Sequence, residues 1–416
     1  MTALELLGYV ASAVLLQLGT GIGAALWRRR GLPAADHLAD ATPRSDSPAD
    51  AWQGWRAFRV SRRVFEDAGQ TQCSFYLVPQ DGLALSPFRP GQYLTFSLNI
   101  PSPAAQGASP SRRVTRCYSL SDAPDASGLR VTIKRALPPT GHPEIAPGIA
   151  SNYFHDRVHE GDILQVRAPS GRFFIDPDPD VPAVFVAGGI GITPMMSMLR
   201  WCLAEQPQRE VHLYYGVRNG SEHAFRAHLQ DLARAHPTLH LTVAYSTPRP
   251  EDRPGQDYHH EGHVDLDLLG STLPHGRHQF YICGPTAMMR SLVPALTQWG
   301  VQAGDIHFEA FGPASLQAAA GQQPGTDAAA GPSLEIGFKR SGRTLAWDGQ
   351  DANLLDFAER HGVAIDSGCR SGSCGSCETR VLSGAVQYRN RPDYDVAGDC
   401  CLPCVATPQS ALVLEA

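Results

Sequence analysis

A-V-F-V-A-G-G-I-G-I-T-P, residues 183–194, is the stretch on which the fold turns. A short apolar run bounded by turn residues reads as a buried strand. Gly188, Gly189 and Gly191 make the turn, and M-M-S-M-L-R-W-C-L continues as a helix. Working outward, V-H-L-Y-Y-G-V at 211–217 is followed by a helical stretch at 225–235 and by L-H-L-T-V-A-Y at 239–245. Q-F-Y-I-C-G-P at 279–285 then leads into A-M-M-R-S-L-V-P-A-L. Strands alternating with helices predict a parallel sheet covered on both faces, a nucleotide-binding half over 179–312.

Upstream the period changes. F-R-V-S-R-R-V-F, Q-C-S-F-Y-L-V, Q-Y-L-T-F-S-L, L-R-V-T-I-K-R and I-L-Q-V-R-A are short alternating runs between Pro, Gly and Asp. They predict an antiparallel β-barrel over 52–178, with Pro101–Thr115 as a polar, Pro-rich hairpin insertion.

The C-terminal segment reads C-R-S-G-S-C-G-S-C, then L-P-C-V-A-T-P after a long gap. Cys369, Cys374 and Cys377 with the distant Cys404 have the C-x4-C-x2-C…C spacing of a plant-type [2Fe–2S] cluster. Gly368, Gly372 and Gly375 let one loop wrap the iron without Cβ clashes. Cys400 and Cys401 lie close enough in sequence to compete for the fourth position. Cys73, Cys117, Cys202 and Cys283 are too scattered for a disulfide framework, and thiolate ligation of iron favours a reducing compartment.

A chain of 416 residues implies two to four domains, and a formal charge of −6 gives no sign of nucleic-acid binding. Residues 4–27 are almost wholly apolar or small, broken only by Glu5 and Gln17 among strongly polar types. At ~24 residues and ~1.5 Å rise a helix there is roughly 36 Å long, enough for a ~30 Å hydrocarbon core. Arg28, Arg29 and Arg30 follow and nothing basic precedes, which argues against a cleaved or twin-arginine signal. The expectation is a single-pass anchor over 1–30 in a bacterial inner membrane, with the catalytic domains cytoplasmic. Linkers rich in Pro, Ala, Gly and polar residues are expected at 31–51 and 313–332, the second a flexible tether for the cluster segment.

Within the nucleotide half, the glycine turn lets a pyrophosphate approach the backbone at a helix start. Cys283-Gly284-Pro285 is a second strand-end turn in the same sheet. In the barrel half Arg116 can pair with a phosphate, Tyr118 can lie against a flat ring, and Gly148-Ile149-Ala150-Ser151 can offer backbone donors. Each also has a plain structural reading: a surface Arg, a packing Tyr, a helix cap. His259, His260, Glu261 and His263 crowd together, yet lie in a polar loop without helical spacing and are not read as a metal site.

The ordered motifs P-G-Q-Y, R-C-Y-S-L-S, G-I-A-S-N-Y-F-H, G-G-I-G-I-T-P-M, C-G-P and F-E-A-F closely resemble the ferredoxin–NADP reductase superfamily. Residues 333–416 resemble plant-type ferredoxins, which implies a β-grasp domain; L-P-C-V-A-T-P resembles the segment around their last ligand and favours Cys404. The order reductase then ferredoxin is similar to phthalate dioxygenase reductase, and the flavin-domain wording to flavohaemoglobin reductase halves. The resemblance implies that Arg116, Tyr118 and Ser119 hold the flavin and that Gly148, Ile149, Ala150 and Ser151 bind its pyrophosphate. It further implies that Gly188, Gly189, Gly191, Thr193 and Pro194 line the dinucleotide site. Cys283, Gly284 and Pro285 would then face the nicotinamide, with Glu309 and Phe311 closing the flavin site. Tyr118, Thr193 and Cys283 would position hydride transfer, with no side-chain acid or base.

The implied cofactors are FAD, with FMN open, a [2Fe–2S] cluster and NAD(P)H as donor. With no globin ahead of the barrel, nitric oxide dioxygenation is not expected. The expected activity is that of a membrane-anchored NAD(P)H oxidoreductase passing electrons to an oxygenase, desaturase or other metalloenzyme. Direct reduction of quinone and redox sensing at a membrane are the alternatives. Arg218 is one candidate for a 2′-phosphate, too little to separate NADPH from NADH.

Overall fold

The computed structural model describes residues 51–101, 111–138, 147–311, 334–370, 372, 374–388, 392, 394 and 396–416. The expected anchor at 1–30 and the linker at 313–332 lie outside the described residues, as does 31–50 of the first linker. Among the described residues no helix is long and apolar enough to cross a membrane.

Six antiparallel strands form the first sheet: β1 (Arg56–Phe65), β2 (Gln72–Pro79), β3 (Tyr93–Pro101), β4 (Ser111–Ser119), β5 (Leu129–Lys134) and β6 (Ile163–Ser170). Their order is β4-β3-β6-β1-β2-β5, and a bridge between Leu120 and Val131 brings the end of β4 onto β5 to close the barrel. Phe58, Phe75 and Phe96 are fully buried inside it, together with Phe154 from α1 (Ile149–Arg157). Each such ring contributes about 1.5–3 kcal/mol on leaving water. Phe154 packs edge-on against Phe75 and Phe96, at 5.2 and 5.4 Å between centroids, which fixes α1 against the barrel.

The expected insertion over Pro101–Thr115 is shorter than its composition suggests. Residues 111–115 already belong to β4, where Arg112 faces Ile100 and Val114 faces Leu98 in register with β3. The polar side chains of this strand mask its pairing, since an edge tolerates charge.

The second sheet is parallel throughout, in the order β10-β9-β8-β7-β11-β12. Its strands are β7 (Ala183–Gly188), β8 (Val211–Val217), β9 (Leu239–Tyr245), β10 (His260–Glu261), β11 (Gln279–Gly284) and β12 (Ile306–Ala310). Helices α2 (Ile192–Glu205), α3 (Arg226–Ala235), α4 (Leu266–Thr272) and α5 (Thr286–Gln298) are spaced between them. Because β7 is followed by β8 on one side and has β11 on the other, the order reverses between β7 and β11. That crevice is where ligands of open α/β sheets bind.

The third unit is a mixed sheet, β14-β13-β19-β15-β17, formed by β13 (Leu334–Phe338), β14 (Arg343–Trp347), β15 (Thr379–Ser383), β17 (Cys400–Cys401) and β19 (Leu412–Leu414). β16 (Val386–Tyr388) pairs separately with β18 (Ala406–Pro408). One helix, α6 (Leu354–Arg360), starts where the Asn353 side chain accepts from the Asp356 amide, and buries Phe357 and Ala358 in this core. The cysteine loop lies between α6 and β15.

Candidate functional site

At the crevice, Ala187 of β7 stands opposite Cys283 of β11, so the two glycine turns lie side by side. Their closeness explains the residue types. A Cβ on Gly188 would come within 2.5 Å of Pro285, one on Gly284 within 3.0 Å of the Gly188 backbone, and one on Gly191 within 2.0 Å of the Cys283 carbonyl oxygen. Gly189 alone has a left-handed backbone, φ +52°. Gly191 opens α2, whose first turn buries Thr193; that hydroxyl donates to the Ile190 carbonyl at 3.0 Å, tightening the turn. Pro194 follows in the first turn, where a missing N–H costs nothing. Pro285 caps α5. Cys283 is fully buried, and that burial pushes its thiol well up, so it is an uncharged wall and not a nucleophile.

Across the crevice, the Tyr118 ring is held edge-on by Phe96 at 5.9 Å and Phe154 at 5.3 Å. Burial pushes its phenol far up. Next along β4, the Ser119 hydroxyl donates to Glu309 Oε2 at 3.3 Å. Glu309 is the β12 neighbour of Cys283 and thus joins the barrel to the nucleotide sheet. Burial pushes its carboxyl up to about 8, the Ser119 hydrogen bond opposes, and the nearby Cys369 sulfur adds to the rise. At neutral pH this carboxyl holds a proton. Phe311, at 37% exposure, ends the described segment beyond it.

Gly148 to Ser151 form the start of α1. The Ser151 hydroxyl donates to the Gly148 carbonyl and accepts from the Ala136 amide, both at 3.1 Å, so it ties the turn to the chain after β5. A Cβ on Gly148 would fall 2.7 Å from that of Ala136. Ala150 is buried and Ile149 is half exposed. Arg116 takes a course the sequence does not suggest. Its Nη1 donates to the Thr115 carbonyl at 2.7 Å and to the Ser367 carbonyl at 3.3 Å, in the approach to the cysteine loop.

In that loop Cys377 Sγ and Cys404 Sγ lie 3.2 Å apart, and the Cys369 and Ser376 amides point at Cys374 Sγ from 3.3 and 3.5 Å. Gly375 has φ +66°, and a Cβ there would lie 2.2 Å from the Tyr394 ring. Cys374, Cys377 and Cys404 are at most 7% exposed, whereas Cys369 is half-buried. None of the four is in a disulfide, and amides aimed at sulfur are what a thiolate-held cluster requires, so the residues fit a [2Fe–2S] group. Cys401 points into the core with Ile336 and Phe338, and the Cys400 thiol reaches Asp399 at 3.6 Å.

Sequence reasoning missed Tyr93 and Arg167. Arg167 Nη1 approaches the Cys374 carbonyl to 3.5 Å while its guanidinium lies 4.6 Å from the Trp55 ring centre. Burial pushes the Tyr93 phenol up, and the Cys117, Cys369 and Cys374 sulfurs beside it act in the same direction. Both residues are far from the cysteines in sequence; Tyr93 closes the P-G-Q-Y motif, which does not point to the cysteine loop, and no motif marks Arg167. Arg218, considered for a 2′-phosphate, is 3.5 Å from Glu222, which also pairs with Lys134 at 2.8 Å. His259 accepts from the Val243 amide at 2.9 Å.

Comparison with known proteins agrees with this geometry. Residues 185–293 match the oxidoreductase NAD-binding domain, and residues 338–409 the 2Fe-2S iron-sulfur cluster binding domain. A flavohemoprotein of Halalkalibacterium halodurans is 39% identical over 267 residues, 64% of this chain and 62% of that protein. The chain thus spans about three fifths of the length of that curated relative. The flavohem-like FAD/NAD binding domain of a Vibrio cholerae nitric oxide dioxygenase is 32% identical, with TM-score 0.53, over 63% of this chain and 100% of that domain. A phthalate dioxygenase reductase, a modular structure for electron transfer from pyridine nucleotides to [2Fe–2S], is 26% identical with TM-score 0.52, over 87% of this chain and 98% of that one.

Proposed function

We propose that this chain, an oxidoreductase of the ferredoxin-reductase type with an NAD-binding and a [2Fe–2S] domain, carries electrons from NAD(P)H through FAD and the cluster to a partner metalloenzyme. The observation that carries this is the convergence of three domains on one spot. Ser119 of the barrel bonds Glu309 of the nucleotide sheet, and Arg116 of the same barrel strand reaches the loop that holds Cys369. FAD is favoured over FMN by the match to a domain that binds FAD and NAD at 32% identity.

When bound, FAD accepts a hydride from the nicotinamide and releases electrons singly to the cluster. The chain's own residues supply placement. Gly188, Gly191 and Gly284 let the two strand-end turns touch, which shapes the floor of the crevice where the dinucleotide would lie. Cys283 offers a neutral wall on the same side. Tyr118, clamped by Phe96 and Phe154, offers a ring that cannot turn. Glu309 keeps its proton at neutral pH, so no fixed negative charge opposes the charge delivered there. Cys369, Cys374, Cys377 and Cys404 would hold iron as thiolates, and the Cys369 and Ser376 amides would stabilise the charge on Cys374.

The partner is an oxygenase, desaturase or other metalloenzyme, in keeping with the dioxygenase reductase similarity. Residues 4–27 would anchor the chain in a bacterial inner membrane with the catalytic domains on the cytoplasmic side; the apolar run and Arg28–Arg30 support this. Anaerobic addition of NADH to the purified protein tests the path. Bleaching of the flavin should be followed by a rhombic paramagnetic signal from the reduced cluster. Bleaching without that signal, in protein whose cluster dithionite does reduce, would refute the relay.

A further inference from the structure

Opposite the dinucleotide turn, at the N-terminal edge of the same sheet, lies a cavity of ≈ 480 Å³ unrelated to the electron path. With ~3.3 Å rise per residue, β8 separates the two ends by roughly 20 Å. Glu210, His212, His240, His275 and His278 all line this cavity. His212 of β8 and His240 of β9 are direct register partners in adjacent parallel strands. Neighbouring strands are about 4.8 Å apart, and the two imidazoles accordingly stack at 4.6 Å with an 18° tilt. Glu210 Oε2 lies 2.7 Å from His240 Nε2. One donor atom from each of Glu210, His212 and His240 falls within 4.8 Å of the others.

We infer that Glu210, His212 and His240 form a binding site for a divalent late first-row metal ion, Zn²⁺ by its donor set. Two imidazoles and a carboxylate suit zinc and leave a fourth position open to the cavity. Magnesium and calcium prefer all-oxygen shells.

His212 is only 6% exposed and sits on the wall of the cavity. His278, on the same wall, stands edge-on to His212 at 5.9 Å, and its Nδ1 donates to the Gly276 carbonyl at 3.1 Å, which leaves its lone pair on Nε2. Burial, with His240 and His278 alongside, lowers the His212 pKa to about 4, so the ring is uncharged and able to coordinate at neutral pH. An ion here would cross-link β8, β9 and the residue leading into β8.

Zinc chloride titrated into the cluster-loaded, untagged protein provides the test, with zinc and iron both measured after desalting. The wild type should retain one zinc per chain with iron unchanged, and magnesium chloride should not displace it. His240→Ala, at a half-exposed position where folding is not at stake, should lower zinc affinity by at least the ~10–100-fold that loss of a supporting partner costs. His212→Gln should do the same, while NADH-driven flavin reduction stays at the wild-type rate in both. No retained zinc in the wild type, or equal affinity in both variants, would overturn the site.

Discussion

Two of the three glycines of the dinucleotide turn, Gly189 and Gly191, should respond to alanine in opposite measure. Gly191 has φ −59° and ψ −7°, a right-handed conformation that alanine adopts freely. The obstacle is space, since its Cβ would stand 2.0 Å from the Cys283 carbonyl oxygen and 2.9 Å from the Gly284 amide. Ordinary carbon–oxygen contact begins near ~3.3 Å, so α2 and β11 must part by about 1 Å. Overpacking of this kind costs about 1–3 kcal/mol, and a misplacement of ~1 Å at a reacting centre can cost up to ~10²-fold in rate. Gly189 is the reverse case: φ is +52° and nothing lies within 4 Å of its Cβ. Gly189→Ala should cost only the left-handed strain, about 1–2 kcal/mol of stability, with little change in hydride transfer. Stopped-flow flavin reduction by NADH reads the difference, and dithionite reduction of flavin and cluster serves as the control for folding. Gly191→Ala should lower kcat/KM for NADH by roughly 10–100-fold with the dithionite control intact. Wild-type kinetics in Gly191→Ala, or a larger loss in Gly189→Ala, would refute the claim that the turns touch.

Glu309 gives a pH dependence of defined sign. Its carboxyl is neutral below about 8 and charged above, so NADH-driven flavin reduction should slow as pH rises through that value, when the new charge opposes incoming electrons. Because the folded pKa lies above the unfolded one, stability falls over the same rise, from the ordinary carboxyl range to about 8. Glu309→Gln should flatten both profiles; an unchanged rate profile would remove Glu309 from the site. Arg167→Ala should leave flavin reduction intact and slow cluster reduction by up to about tenfold, the worth of one hydrogen bond of 0.5–1.5 kcal/mol, read by the paramagnetic signal after NADH. Equal cluster kinetics would show that Arg167 does not hold the loop in place.

Local features were legible in the chain and non-local ones were not. The glycine turns and the spacing of Cys369, Cys374 and Cys377 lie within single loops, where the chemistry of a tight turn or a metal cage restricts neighbouring residues. Alternation in the barrel strands was equally readable, because each strand buries one face. The start of β4 was not, since Arg112 and Arg113 give an edge strand the composition of a loop. The bond from Arg116 to the Ser367 carbonyl, across to the cysteine domain, has no counterpart in the local sequence around Arg116. His212 and His240 are brought together by strand register across 28 residues, whereas His259–His263 crowd together in the sequence itself.

The contact between cysteine loop and barrel bears on how one cluster can serve both a flavin and an outside partner. Among its contacts, Arg116 and Arg167 donate to the carbonyls of Ser367 and Cys374, at 3.3 and 3.5 Å, and the Cys117 thiol of β4 meets the Cys374 sulfur. Contacts this long are individually weak, each worth about 1 kcal/mol or less. The loop's own core, with Leu355, Leu402, Cys377 and Cys404, closes on itself and does not need the barrel. Cys369 is the half-buried ligand, and it is also the one beside Glu309. On the proposed path, the most open edge of the cage is thus the edge turned toward the flavin side. A partner that takes electrons by the shortest route must meet that same edge, so loading and delivery compete for one surface. A strongly bonded dock would then block delivery, whereas hydrogen bonds this long and a thiol–thiol contact can release the loop at small cost.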